Sequence, residues 1–229
     1  LEIRMDATGA DVLVLSGAVD AVSQGFDRVI FPADRVRLKG TRQQRRQELL
    51  IQGQPMEPVN VCWAEEEPSA SDRFPASEAA STNQLDHWRL EQGWPLSAGE
   101  LDGTTNPFEL GLSPWVHLNK GCYLGQETVA KLASRGEVKQ QLRSWRTPSS
   151  ELMGTVPQRG TVLRREGERA GVITSALEIP SAEGARREWI GLALVRRQAL
   201  TAPQLSLDND PGTIQLFKPQ AFSEPPTRA

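Results

Sequence analysis

The run NKGCYLGQETVAKL, residues 119–132, holds the most reactive arrangement in the chain. Cys122 stands between a lysine–glycine step, Lys120-Gly121, and Tyr123. Gly125 follows, and Gln126 and Glu127 then open an amphipathic run. Gly121 gives the backbone access to conformations that other residues avoid. A helix beginning at Gln126 places free N–H groups and a positive dipole end near the sulfur. Lys120 adds a cation two residues before it. Each of these favours thiolate over thiol. Such a thiolate can attack an electrophile, cycle through reversible oxidation or hold soft iron. The competing reading is a small apolar filler, the commonest role of a free cysteine. No histidine stands nearby in sequence as an obvious base, and the spacing alone does not decide.

The elements that must position this loop follow from periodicity. Leu1, Ile3 and Met5 alternate as a half-buried strand does, DATGAD is a turn, and Val12 to Leu15 is the return strand. Ala18, Val22, Phe26 and Val29 predict a helix from Ala18 to Ile30, stopped by Pro32. DRVRLKG alternates as a strand with Val36 and Leu38 on one face, a short helix follows from Arg42, and Leu49 to Ile51 is apolar strand. Ala64 to Thr82 is rich in Ser, Ala, Pro and Glu and reads as a mobile surface loop. Thr82 or Asn83 caps a helix with Leu85 and Trp88 on one face and Gly93 at its end. The helix from Gln126 runs to about Ser134, with Val129 and Leu132 inward and Gly136 ending it. KQQLRSWR, GTVLRREGERAGVITSAL, REWIGLALVRR and GTIQLFK are short strand runs separated by turns, the pattern of a small antiparallel barrel or sandwich. The expected fold class is therefore α+β, with an α+β domain over residues 1–138, a β-barrel over 139–220 and a frayed tail over 221–229.

Composition narrows the function. A chain of 229 residues with net charge −3 and pI near 5.6 argues against a dedicated nucleic-acid binder. The basic run RVRLKGTRQQRR is read first as a solvated face. No apolar run approaches the roughly 18 residues of a membrane span. Two cysteines cannot form a disulfide framework, and nothing resembles a signal peptide, so a reducing, cytoplasmic setting is expected. His87 and His117 lack zinc-site spacing, and no metal site is expected.

KGCYLGQETVAK resembles the Lys-Gly-Cys-Tyr-x-Gly-Gln-Glu signature of the YgfZ-like folate-binding proteins, relatives of the aminomethyltransferase (T-protein) of the glycine cleavage system. Every fixed position of that signature is intact here. WRLEQGWP resembles the family's Arg-x-Glu-x-Gly-x-Pro segment, and PFELGL its Pro-x-Glu-x-Gly-Leu. RGEVKQQL, AGVITSA and GLALVRR resemble later parts of the same proteins. The resemblance runs from about Asp34 onward. It implies a folate-binding T-protein-like α+β domain followed by a β-barrel. It further implies a tetrahydrofolate-dependent accessory protein for assembling or repairing iron–sulfur enzymes, including those that modify tRNA. The implied partners are iron–sulfur client proteins. Cys122 would be the functional thiol. Glu91 matches the position where T-proteins hydrogen-bond the pterin, a carboxylate being able to accept two parallel N–H bonds; a solvated helix glutamate is the rival reading. Lys120, Gly121, Tyr123, Gly125, Gln126 and Glu127 complete the implied site. The alternative is a tetrahydrofolate-dependent, aminomethyltransferase-like enzyme, although the motif around Cys122 favours the accessory branch. A cysteine peroxidase or redox sensor would need Cys122 alone. The chain opens in strand-like alternation without methionine, as if entered partway through a domain. The family's upstream segment supplies much of the folate cavity, so weak or absent tetrahydrofolate binding is expected of these 229 residues by themselves.

Overall fold

The computed structural model describes residues 1–14, 18–48, 61–64, 80–96, 99–123, 125–181, 186–208 and 210–226. The chain divides into two compact units, Leu1–Glu78 and Ala79–Ala229.

The first unit opens with an antiparallel hairpin. Strands β1 (Glu2–Asp6) and β2 (Gly9–Leu13) pair with Asp6 opposite Gly9. The Asp6 carboxylate ties the turn by accepting from Thr8 N at 2.6 Å and Thr8 Oγ1 at 2.7 Å. Helix α1 (Val19–Asp27) follows near the expected start, with Ala18 at its N-cap, but ends three residues before the expected Ile30. The expected half-buried face of the first strand is not found: Leu1, Ile3 and Met5 are exposed, Met5 by 83%.

The segment 34–40 is not a strand, and no helix starts at Arg42. Pro32–Asp34 forms a 3-10 turn, closed where Phe31 N donates to Asp34 Oδ2 at 2.7 Å, and Arg35 leaves it in the left-handed region at φ 53°. Val36 and Leu38 are exposed, and the basic run beyond them has no apolar stripe for a helix to bury. Instead β3 (Arg45–Glu48) pairs antiparallel with β4 (Val61–Ala64), a strand that periodicity did not mark. The strand expected at Leu49 to Ile51 and most of the loop expected at Ala64 to Thr82 lie outside the described residues.

The second unit holds every cluster of buried apolar residues among those described. Helix α2 (Thr82–Gln92) is capped one residue earlier than expected. Ser81 Oγ accepts from Gln84 N, and Gln84 Oε1 accepts from Ser81 N at 2.8 Å, a reciprocal capping box. Gly93 closes the helix in the left-handed region, as expected. Helix α3 (Gln126–Arg135) ends at Gly136, and its Val129 and Leu132 pack with Phe108, Ala133 and Val138.

The strand runs after α3 close into a six-stranded antiparallel barrel. They are β5 (Gln140–Pro148), β6 (Val162–Arg165), β7 (Glu168–Pro180), β8 (Arg187–Arg196), β9 (Gln204–Leu207) and β10 (Thr213–Phe217), in the order β10-β5-β8-β7-β6-β9. Strand β9 is an addition to the sequence reading. Alternate residues of β8 feed two cores: Ala193 and Val195 face the barrel interior with Trp145, whereas Ile190, Leu192 and Leu194 form an outer layer with Leu90 of α2. The boundary expected at 138/139 falls inside this unit, between α3 and β5.

The tail expected to fray is packed as far as the structure describes it. Phe222 is 6% exposed and belongs to the outer layer. Ala221 N donates to Gln92 O and Ser223 N to Gly111 O, both at 3.0 Å. Ser113 Oγ donates to Glu224 O at 2.8 Å. Gly111 stands at φ 75°, and a Cβ there would collide with the Phe222 ring. The segment after β10 is thus a strap across the end of α2 and the turn that leads to the cysteine loop.

Candidate functional site

The thiol loop is built at the junction of a turn and a helix. Gly125 is the N-cap of α3 at φ 86°, a left-handed conformation that a side chain disfavours, and nothing crowds a Cβ there. The glycine therefore serves the backbone's change of direction. Among the described residues no side chain caps this end of α3. Gln126 N donates to Tyr123 O at 3.2 Å, and Val129 N to Gly125 O at 3.1 Å, which start the helix. Gln126 is half-buried and Glu127 is exposed in the first turn, where the dipole favours an anion.

Cys122 is free and exposed. The apolar filler reading is therefore not what the fold builds; the sulfur stands in solvent, reachable by an electrophile, an oxidant or a metal-bearing partner. Gly121 and Lys120 are exposed beside it. The Lys120 amine sits 4.6 Å from the centre of the Tyr123 ring. Tyr123 is half-buried, and its hydroxyl is sealed from solvent without a hydrogen-bond partner among the described residues. Seven of the residues singled out by sequence, from Lys120 to Glu127, thus share one loop–helix junction.

Glu91 lies elsewhere, on α2. Its side chain is 44% exposed, and Oε1 lies 3.3 Å from His87 Nε2 one turn earlier, without hydrogen-bond geometry. The end of α2 is fixed by a polar network that sequence reasoning missed. Glu100 is fully buried. Its Oε2 accepts from Leu96 N at 2.9 Å, and its Oε1 from Ser175 Oγ of β7 at 2.7 Å. Arg89 reaches the same carboxylate at 3.6 Å while donating to Trp94 O at 3.1 Å and to Asp86 Oδ1 at 3.0 Å. The Arg89–Glu100 pair pins the turn after α2 onto the barrel and so fixes the helix that carries Glu91. Nothing in GELDG, where Glu100 sits, announces a buried carboxylate.

A second missed feature is aromatic. Trp94, just past α2, meets Trp115 edge to face, with ring centres 5.8 Å apart at 75°. Trp115 is 67% exposed and lies seven residues before Cys122. It joins the stretch leading to the thiol loop with the turn that follows Glu91. By contrast, a shallow depression of about 350 Å³ at the β6–β7 turn is lined by Arg165, Glu168, Arg169 and Gln198 and contains none of the expected site residues. No helix among the described residues is long and apolar enough to cross a membrane.

No family model matches the chain. Curated relatives do. A chloroplastic protein of Arabidopsis thaliana carrying a transferase name is 32% identical over 111 residues, 48% of this chain and 23% of that protein. An aminomethyltransferase of Thermotoga neapolitana is 34% identical over 129 residues, 56% of this chain and 32% of the relative. An aminomethyltransferase of Halothermothrix orenii is 29% identical over 123 residues, 53% of this chain and 32% of the relative. The matched stretch thus spans only 23% to 32% of the length of these relatives. Taken with the closed barrel and the helices packed on it, the matches support an aminomethyltransferase-like fold for about half of this chain.

Proposed function

We propose that the chain is a YgfZ-like, tetrahydrofolate-binding accessory protein for the assembly or repair of iron–sulfur enzymes, some of them tRNA-modifying, with Cys122 as its functional thiol. One observation carries the reading. In the intact KGCYLGQE signature, Lys120, Gly121 and Cys122 are exposed ahead of a helix whose N-terminus no described side chain caps, and the sulfur is at the surface. A chain that used Cys122 for packing would bury it. Relatives bearing the aminomethyltransferase name support the folate part of the proposal.

The residues fit a pterin in part. Glu91 offers an accessible carboxylate whose Oε2 has no partner among the described residues, which suits the N–H edge of the ring. Trp115 offers an open indole face joined through Trp94 to the same end of α2. When bound, tetrahydrofolate would supply one-carbon chemistry at its N5 and N10 nitrogens. Glu91 would orient the ring, and Trp115 would cover one side of it from water.

Cys122→Ala tests the proposal. An exposed thiol contributes little to stability, so the variant is expected to fold as the parent does, within about 0.5 kcal/mol. It should fail to restore iron–sulfur enzyme activity in cells lacking the protein. Full restoration would exclude a functional thiol.

The relatives' name also favours a second reading, an aminomethyltransferase-like enzyme. Folate-dependent one-carbon transfer that survives Cys122→Ala would select it.

A further inference from the structure

We propose that Lys120 and Tyr123 form a clasp that holds the Gly121–Cys122 apex out to solvent, so that Lys120 acts on the thiol by position, through the Tyr123 ring. The inference rests on the reading of Cys122 as the functional thiol, and it gives Lys120 a different task from the one its charge suggests in the sequence.

Lys120 Nζ lies 4.6 Å from the ring centroid of Tyr123, within the range where a cation is drawn to an aromatic face. The residues are three apart, so the contact closes a loop containing only Gly121 and Cys122. Tyr123 is its fixed side. The ring is half-buried, the hydroxyl is sealed from solvent, and the Tyr123 carbonyl accepts the first N–H of α3. The other side is loose. Lys120, Gly121 and Cys122 are exposed, and a Cβ on Gly121 would meet nothing within 4 Å, so no described neighbour confines Gly121 by contact. Neither Gly121 nor Cys122 makes a hydrogen bond among the described residues. Glycine is the residue with most conformational freedom to lose. Among the described residues the cation–ring contact is therefore the restraint on this apex. An amine held over the ring face directs its charge to the ring, and the thiol is presented between the two arms.

Tyr123 is the single tyrosine of the chain, so tyrosine-labelled protein gives one ring signature by NMR. The full chain is prepared as wild type, Lys120→Met, Lys120→Arg, Tyr123→Leu and the Lys120→Met/Tyr123→Leu double variant. Circular dichroism checks that each folds. Iodoacetamide alkylation is followed by peptide-resolved mass spectrometry, which separates Cys122 from Cys62. The Tyr123 ring resonances are expected to move in Lys120→Met and to return in Lys120→Arg, which keeps a cation over the ring. Alkylation of Cys122 is expected to slow about two- to fivefold in Lys120→Met, in keeping with an exposed cation–ring contact. It should slow equally in Tyr123→Leu, no further in the double variant, and keep the wild-type rate in Lys120→Arg. Single effects that multiply in the double variant would overturn the clasp, as would ring resonances unmoved by Lys120→Met. These readouts report how the thiol is presented, so they stand apart from the cellular test of Cys122→Ala, whose failure would remove the functional reading and leave the clasp intact.

Discussion

At the scale of single residues, the fold invests its buried charge in holding turns. Asp210 is 7% exposed and gathers backbone donors from both sides of the barrel end: Gly212 N at 2.6 Å, and Met153 N and Thr155 N at 3.1 Å. The Gly212 N–H, joined by those of Thr155 and Met153, outweighs burial and holds the Asp210 carboxyl below the usual carboxylate range. A carboxyl whose folded pKa is depressed adds stability above its unfolded value near 3.9, and that stability is lost as the pH falls through the folded value. Urea midpoints measured between pH 6 and pH 3 should therefore fall less steeply for Asp210→Asn than for the wild type; parallel curves would show that Asp210 does not contribute. Glu100 works by another route. It is fully buried, and its partners Arg89, Ser175 and Leu96 N are fixed around it. Removing one side of a buried pair strands the other charge, at a cost of about 3–5 kcal/mol. Glu100→Ala should lose that much in denaturant titration, whereas a change at the exposed Glu91 should lose almost none.

At the scale of elements, the strap after β10 carries the most consequence. Phe222 fills the outer layer with Leu90, Leu110 and Leu142, the Gly111 turn is shaped to its ring, and Arg143 and Lys218 lie over its faces at 5.1 and 6.0 Å. Phe222→Ala is expected to destabilise the fold by about 3–5 kcal/mol, the range for a buried aromatic truncated in place, read as a lowered denaturant midpoint. The sequence gives no warning of this. AFSEPPTRA is short, polar and proline-rich, which is how a frayed end reads; what fixes it is a turn more than a hundred residues earlier. The elements that were legible are those whose signals are local. Helices α2 and α3 end at Gly93 and Gly136 because a left-handed glycine is a stop written at the site of the stop. Strands β5, β7 and β8 are long enough for alternation to show. Strand β9, four residues in QLSL, is too short to rise above its surroundings, and its partners β6 and β10 make it a strand. In DRVRLKG the alternation was present and misleading, because no sheet pairs with it and Val36 and Leu38 stay in solvent. The site divides in the same way: the thiol loop is contiguous and was readable residue by residue, whereas Glu100 and Trp115 acquire their roles through contacts that spacing does not encode.

At the scale of the whole molecule, the two compact units differ in what they bury. In Leu1–Glu78 the described strands form two-stranded pairs, and no residue of α1 is buried. Two-stranded pairs alone are marginal in water. In Ala79–Ala229 a closed barrel leaves no free sheet edge, Trp145, Leu163, Ile173, Leu205 and Ile214 fill its interior, and α2, α3 and the strap cover further apolar surface outside. Cooperative unfolding follows the size of a contiguous apolar core. Residues 79–229 expressed alone should therefore unfold in one sharp denaturant transition. The amides of β7 and β8, central in the barrel and packed on both faces of β8, should be the slowest to exchange with deuterium. Cys122 should remain exposed in this piece, because the loop, the N-terminus of α3 and the Tyr123 anchor all lie within it. A broad, non-cooperative transition would mean that the first unit supplies stability that its described side chains do not reveal. A sharp transition with unchanged Cys122 alkylation would locate the thiol machinery entirely in the second unit.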